Sequence, residues 1–206
     1  MKILLVTAGT KDSGATERCV LEAEGEIKRL GAECEIFRLR PEAVTSCSGC
    51  GGCKAKGRCI HEDAATALGD RVASCDGYIF FTPVHFGGAA GIMKAALGRV
   101  FISKRADLEY KPASVIAVSR RGGNFTAIEE ISRFFGFASM PYVPGNYPGV
   151  SHGASGIEAE EDKEGLQTVR SIAANMIWLI KCINCAKDAG IDRPTPEPKI
   201  KTGFIR

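Results

Sequence analysis

Four cysteines lie within the thirteen residues from 47 to 59, with the spacing Cys-x2-Cys-x2-Cys-x5-Cys. A structural zinc site usually takes two Cys-x2-Cys pairs that lie well apart in sequence, whereas here Cys50 would have to belong to two overlapping pairs. A four-iron, four-sulfur cluster takes four thiolates spread around a larger body, which one short loop can supply. We therefore predict a cluster held by Cys47, Cys50, Cys53 and Cys59, and keep zinc, a disulfide pair and free thiols as alternatives.

The cysteine segment also contains glycines at positions 49, 51, 52 and 57. Glycine adopts positive φ without steric cost and leaves backbone N–H groups free to point at a bound anion or at cluster sulfurs. This composition favours a loop that wraps around a bound group.

A second candidate is the small, hydroxyl-rich segment 8–16, which lies between a predicted strand at 1–7 and a predicted helix at 17–30. Backbone N–H groups at a helix N-terminus bind phosphate, and the segment adds hydroxyl groups and one cation. The residues that could contribute are Thr10, Lys11, Ser13 and Thr16. An ordinary strand-to-helix turn with an N-cap is the alternative.

The elements that must position these segments alternate between short apolar runs and helical patterns. Strands are predicted at 1–7, 33–39, 76–81 and 113–119, with a weaker fifth at 139–143 that contains Pro141, and helices at 17–30, 63–74, 92–101, 126–135 and 165–187. This alternation is typical of an α/β fold with a doubly wound, five-stranded parallel sheet and helices on both faces. Segments 8–16, 47–59, 82–88 and 119–124 all follow strands, so we expect them to share the carboxyl edge of the sheet and form one site.

These segments carry a resemblance to a known family. Their order, together with Thr82-Pro-Val-His-Phe-Gly87, Lys94-Ala-Ala-Leu-Gly-Arg99 and Lys111-Pro-Ala-Ser-Val-Ile116, resembles the NADPH-dependent FMN reductase family and, more narrowly, its iron–sulfur flavoprotein branch. The likeness runs from Met1 to about Asn124. It implies a flavodoxin-like fold that binds FMN non-covalently.

The resemblance also implies where FMN lies. The first loop would hold the phosphate, Thr82 to Gly87 would run along the isoalloxazine ring, and Ser119 to Asn124 would close on its other side. The implied cofactor-binding residues are Thr10, Lys11, Ser13, Gly14, Thr16, Thr82, Pro83, Val84, His85, Phe86, Gly87, Ser119, Arg120, Gly122, Gly123 and Asn124. The chain departs from the family pattern at His85, where tyrosine is usual, and at Gly98, where aspartate is usual. It also departs in the first loop, which reads Ala8-Gly9-Thr10-Lys11 where Gly-Ser-Pro-Arg is common.

The implied function is an FMN-dependent oxidoreductase that couples the two-electron chemistry of flavin to the one-electron chemistry of a cluster. No side chain is assigned as a catalytic acid or base, and the three histidines give no support for a hydrolytic triad. The implied partners are a ferredoxin-like electron carrier or NAD(P)H, and other copies of the chain in a homodimer or homotetramer. Two alternatives stay open: a cluster-free NAD(P)H-dependent FMN or quinone reductase, and a non-enzymatic flavodoxin-like electron carrier.

Composition excludes other classes of function. The net charge of +3 is small and the basic residues are scattered, which argues against nucleic acid, and no apolar run reaches membrane-spanning length. We expect a cytoplasmic protein, in which nine cysteines are better explained as ligands or core residues than as disulfides. Cys19, Cys34 and Cys75 are predicted in the core, and Cys182 and Cys185 on the packed face of the last helix.

The chain is expected to form one FMN-binding domain over 1–190, followed by a proline-rich, extended tail over 191–206. The segment 145–156, which contains His152, is too long for a simple connector. It is predicted to cover the flavin, to contact another subunit, or to be solvated.

Overall fold

In a computed structural model, residues 1–40, 44–195, 197–198, 200 and 202–204 are described. The strands are β1 (Lys2–Thr7), β2 (Glu33–Arg38), β3 (Gly77–His85), β4 (Gly88–Ala89), β5 (Ala113–Ser119) and β6 (Val150–His152). The helices are α1 (Ala15–Arg29), α2 (Gly52–Lys56), α3 (Ala64–Val72), α4 (Gly91–Ser103), α5 (Arg105–Leu108), α6 (Asn124–Gly136), α7 (Gly156–Glu161) and α8 (Lys163–Asp188).

The five parallel strands are ordered β2-β1-β3-β5-β6, and β4 pairs antiparallel with the end of β3 as a short hairpin. This is the flavodoxin-like order, in which the ligand site lies at the carboxyl ends of the strands where the direction of winding reverses. The prediction of a doubly wound, five-stranded parallel sheet is confirmed.

The central strands are apolar on both faces because each face is covered by helices. Successive residues of β1 alternate between the two cores: Leu4 and Val6 face α3, α4 and α6, whereas Ile3 and Leu5 face α1 and α8. The continuous apolar runs of β1, β3 and β5 therefore fix the centre of the sheet.

The fifth strand is not where the sequence predicts it. Residues 139–143 contribute only an isolated bridge between Tyr142 and Ala113, whereas the strand itself is Val150–His152, inside the segment predicted as a loop. Pro141 has no N–H to donate to a ladder. Gly149 then brings the chain onto β5 so closely that a β-carbon there would overlap the Val115 carbonyl oxygen.

The last helix corrects a second expectation. Cys182 and Cys185 are exposed, not packed in the core. The last buried residue of α8 is Ile180, so the final turns of this helix run past the sheet into solvent. Cys19 and Cys75 are buried as predicted, and Cys34 is partly buried.

None of the described helices is both long and apolar enough to cross a membrane. After α8 the described tail residues have no regular structure, and the Tyr110 hydroxyl donates a hydrogen bond to the Pro194 carbonyl oxygen (3.3 Å). Residues 196, 199, 201, 205 and 206 of the predicted tail lie outside the described residues. The domain boundary at 190 stays a prediction.

Candidate functional site

A cavity of about 230 Å³ lies at the carboxyl ends of β1, β3 and β5. Its walls come from the first loop, the end of β3, the end of β5 and the two residues after β6. The lining residues are Gly9, Thr10, Lys11, Gly14, Ala15, Thr16, Pro83, Val84, His85, Val118, Ser119, Arg120, Gly153 and Ala154. Three of the segments that the sequence singles out therefore meet at one edge of the sheet.

The first wall is the N-terminus of α1. Gly14 is the N-cap residue, and no side chain among the described residues caps this end of the helix. The Gly14 N–H donates to the Lys11 carbonyl oxygen (3.1 Å), which closes a turn that brings Lys11 to the cavity. Free helix N–H groups, hydroxyls and a lysine together form a site for an anion such as a phosphate.

Ser13 differs from its neighbours in the first loop. It is not among the lining residues, and its carbonyl oxygen accepts a hydrogen bond from the Gly156 N–H (3.0 Å). The Ser13 backbone therefore joins the first loop to α7, and a contact of its side chain with a ligand stays a prediction.

The second wall is the end of β3, where Pro83, Val84 and His85 line the cavity. Thr82 is buried instead: its hydroxyl donates to the Pro83 carbonyl oxygen (3.0 Å) and accepts from the Ala90 N–H (3.0 Å). Phe86 and Gly87 form the tip of the β3–β4 hairpin with positive φ values of 50° and 80°, and the Phe86 side chain is fully exposed. These three residues shape the hairpin that carries the lining residues.

The third wall is the end of β5, which contributes Ser119 and Arg120. Asn124 is buried and holds the strands together: its Nδ2 donates to the carbonyl oxygens of Ala117 (2.8 Å) and Ser151 (3.3 Å). Its Oδ1 accepts a hydrogen bond from Ser119 Oγ (2.7 Å). Asn124 is thus behind the wall and supports Ser119.

The two glycines of that loop differ in their surroundings, since Gly122 is exposed and Gly123 packs against the hairpin. Gly122 and Gly123 do not line the cavity. Gly123 has φ of 92°, and a β-carbon there would lie 2.8 Å from both Gly87 Cα and Val84 Cγ1. It lets the β5–α6 loop pack against the β3–β4 hairpin.

The sequence did not identify Gly153 and Ala154 as lining residues, because it gave no sign of a strand just before them. His152 belongs to β6, and its Nδ1 lies 3.4 Å from Ser119 Oγ, directly beside the cavity. The one available signal was the length of the segment 145–156.

The cysteine segment forms a separate cavity of about 160 Å³. All four cysteines line it, together with Arg99, Ile102 and Ser103 on α4. The two cavities have no lining residue in common, so the cysteine segment and the other three segments line different cavities. The expectation that all four segments form one site stays a prediction. Gly49, Gly51 and Gly57 have φ values of 72°, 73° and 63°, as the turns on either side of α2 require.

Arg99 dominates the electrostatics of the cysteine cavity. Its side chain is almost fully buried, and its Nε lies 3.3 Å from Cys59 Sγ. Burial raises the pKa of the Cys59 thiol, but the His61 backbone and the Arg99 guanidinium outweigh this and leave the pKa below its usual value. The pKa of Asp63 is likewise lowered, because Arg99 and the α3 N-terminus outweigh the effect of burial.

The thiols can be compared with known metal sites. Within the part of the chain that the structure describes, no three His, Cys, Asp or Glu side chains converge closely enough to hold a metal ion. The four cysteines nevertheless face one cavity from one short loop. Four thiol donors around a shared space fit the donor set of a four-iron cluster, whose irons each take one thiolate.

Comparison with known proteins agrees with the fold. The model of the NADPH-dependent FMN reductase family matches residues 1–155. An iron–sulfur flavoprotein of Methanocaldococcus jannaschii is 29% identical over 191 residues, covering 89% of this chain and 99% of the relative. An iron–sulfur flavoprotein of Methanosarcina thermophila is 27% identical, covering 91% of this chain and 100% of the relative.

Among solved structures, RosB with bound 8-demethyl-8-formylriboflavin-5'-phosphate superposes with a TM-score of 0.67 at 16% identity, covering 100% of this chain and 94% of RosB. At that identity the likeness speaks for the fold alone. The family match spans all three loops of the sheet-edge cavity as well as the cysteine segment. The chain therefore belongs to the NADPH-dependent FMN reductase family and is a flavin-dependent oxidoreductase.

Proposed function

We propose that the chain binds FMN in the sheet-edge cavity and a four-iron, four-sulfur cluster in the cysteine cavity, and that it exchanges electrons between the two. The observation that carries this proposal is that all four cysteines of 47–59 line one cavity, while a second cavity lies at the uncapped N-terminus of α1. When bound, FMN supplies two-electron chemistry and the cluster supplies one-electron chemistry.

The residues of the sheet-edge cavity suit FMN. The uncapped N-terminus of α1 and Lys11 would hold the phosphate, while Pro83, Val84 and His85 offer a flat wall to the ring. Arg120 brings a positive charge to the opposite wall, where it would stabilise negative charge on a reduced ring.

The residues of the cysteine cavity suit a cluster. Cys47, Cys50, Cys53 and Cys59 would be the four ligands. The Gly49 N–H already points at Cys47 Sγ (3.5 Å), as backbone groups do around cluster sulfurs. The Arg99 guanidinium beside Cys59 would offset part of the negative charge of the thiolates.

We propose a ferredoxin-like carrier as the electron donor. Residues 47–59 contain no acidic residue, and Lys54 and Lys56 are exposed, whereas Arg58 pairs with Glu62 and Asp70. A basic rim around a one-electron centre favours encounter with an acidic one-electron carrier. NAD(P)H as a direct donor to the flavin is the alternative, although the sequence contains no Gly-x-Gly-x-x-Gly fingerprint.

We also propose a homodimer or homotetramer in the cytoplasm. The cytoplasmic location rests on nine cysteines, which a reducing compartment keeps available as ligands. The oligomer rests on resemblance to the family and is tested by sedimentation of the cofactor-loaded protein.

The deciding experiment is an absorption spectrum with iron and acid-labile sulfide analysis of protein purified without oxygen. We expect the two bands of oxidised flavin and about four irons per chain. Flavin without iron would contradict the cluster and leave a cluster-free FMN reductase, and failure to retain or rebind FMN would contradict the assignment of the sheet-edge cavity. Reduction of the loaded protein by a ferredoxin and by NADPH, compared at equal concentration, then tests the donor.

A further inference from the structure

The guanidinium group of Arg99 makes a full set of hydrogen bonds beneath the cysteine segment. Arginine has five N–H donors, and here each has an acceptor. The acceptors are Cys59 Sγ (3.3 Å), the Thr45 carbonyl oxygen (3.5 Å), the His61 carbonyl oxygen (3.1 Å), Thr66 Oγ1 (2.8 Å) and the Asp63 carboxylate.

Two of these acceptors lie at opposite ends of the cysteine segment. Thr45 precedes Cys47 and His61 follows Cys59, so one rigid side chain on α4 bridges the entry and the exit of the loop. Asp63 in turn caps α3 by accepting hydrogen bonds from the Ala65 and Thr66 N–H groups (3.0 and 3.3 Å). The loop is therefore tied to two helices through a single buried cation.

We propose that Arg99 is a positioning residue for the cluster, which clamps both ends of the cysteine loop and holds a positive charge against Cys59 Sγ. The charge part of this proposal rests on the proposed function, whereas the clamp exists without a cluster. Lysine cannot replace the arginine fully, because an ammonium group has three donors and no planar fork.

The positive charge of Arg99 is expected to change the midpoint potential of the cluster. Reduction adds one negative charge to a cluster that already carries four thiolates, so a neighbouring cation favours the reduced form and raises the midpoint potential. Asp63 partly cancels that cation. Removing the charge of Arg99 and removing the charge of Asp63 must therefore shift the potential in opposite directions.

The experiment is a potentiometric titration of the cluster-loaded protein with dithionite, in which the absorption of the cluster is monitored. We expect R99Q to lower the midpoint potential, D63N to raise it, and R99K to fall between R99Q and the wild type. R58Q is the control for charge elsewhere in the loop, since it removes an arginine that pairs with Glu62 and Asp70 and not with a cysteine. It should shift the midpoint potential by less than R99Q does.

Shifts of the R99Q and D63N midpoint potentials in the same direction, or an R58Q shift as large as that of R99Q, would overturn the charge part.

The clamp is tested separately, on iron-free protein, by measuring the rate of backbone hydrogen exchange of residues 45–61. R99Q should exchange about tenfold faster than the wild type while R58Q does not, because several hydrogen bonds to a charged group are lost. Equal exchange in R99Q and wild type would overturn the clamp. Wild-type protein that takes up no iron would refute the proposed function and leave this second measurement to decide the role of Arg99. If R99Q does not fold, R99K and D63N carry both tests.

Discussion

Gly123 packs directly against Gly87, so closely that a β-carbon on Gly123 would lie 2.8 Å from the Gly87 α-carbon. Through this contact the loop that carries Ser119 and Arg120 is held against the hairpin that carries Val84 and His85. The distance between two walls of the sheet-edge cavity is therefore set by a residue that does not line it.

G123A should weaken FMN binding at least about tenfold, because the added methyl group forces the two walls apart and φ of 92° is strained for alanine. The measurement is quenching of FMN fluorescence on titration with iron-free protein. G25A is the control, since a β-carbon at Gly25 on α1 meets nothing within 4 Å and Gly25 does not line the cavity. FMN affinity in G123A equal to that in G25A would contradict the argument.

K11A should lower the affinity for FMN by about three- to tenfold and leave the affinity for riboflavin unchanged, because Lys11 is expected to contact only the phosphate. Calorimetric titration with both flavins provides the comparison. D12N serves as the control, since Asp12 forms an ion pair with Arg40 and is not among the lining residues. An equal loss for riboflavin would show that Lys11 acts on the ring or on the fold.

C50S should lower the iron content after anaerobic reconstitution well below four per chain, because one iron loses its thiolate. C182S removes an exposed cysteine far along α8 and should retain full iron. Iron and sulfide analysis of the two variants side by side is the test. Full iron in C50S would show that this thiol is not a ligand.

E22Q should make the free energy of unfolding less dependent on pH. Burial raises the pKa of Glu22, but hydrogen bonds from Arg170 and Arg18 outweigh it and bring the pKa below 4.5. The unfolded chain therefore takes up this proton at a higher pH than the folded chain, so the stabilisation is complete above pH 4.5 and is lost as the pH falls through the lowered pKa.

At pH 7, E22Q should cost about 1 kcal/mol of the free energy of unfolding. The difference in the free energy of unfolding between E22Q and the wild type should shrink as the pH approaches 3. Urea unfolding at a series of pH values measures it. E33Q, at an exposed position on β2, is the control and should follow the wild-type curve. A constant difference at all pH values would place the effect in packing.

Native-state alkylation should separate the cysteines outside the loop. Cys182 and Cys185 are exposed and should react with iodoacetamide at pH 8, whereas Cys19 should not. Burial raises the pKa of Cys19 to about 11 and removes it from solvent, so both its thiolate fraction and its access are low. Mass spectrometry of peptides before and after unfolding reads this out, and early modification of Cys19 would refute its place in the core.

The centre of the fold could be predicted from the sequence because β1, β3 and β5 are continuous apolar runs that no other element type explains as well. The edge could not. Val150-Ser-His152 is three residues long with no apolar run, and it becomes a strand only because it pairs with Ala117–Ser119 on β5. The apolar stretch at 139–143 was the stronger local signal, but Pro141 prevents it from continuing a ladder.

The candidate site, like the fold, could be predicted only in part. Three loops meet as expected because the carboxyl ends of parallel strands share one edge. The cavity that the cysteine segment lines together with α4 could not be predicted, because no local pattern reports which helix the segment packs against. The role of Arg99 was invisible for the same reason, since its partners Thr66 and Thr45 are 33 and 54 positions away in sequence.

The closeness of Gly149 to the Val115 carbonyl has a consequence for mutational tolerance. In a saturation library scored only for folded protein, position 149 should accept glycine and reject even alanine, although it lies in a segment with no obvious pattern. Such a pattern of tolerated substitutions would resemble that of a catalytic position. Its cause would be the close packing of the backbone at Gly149 against the backbone of β5.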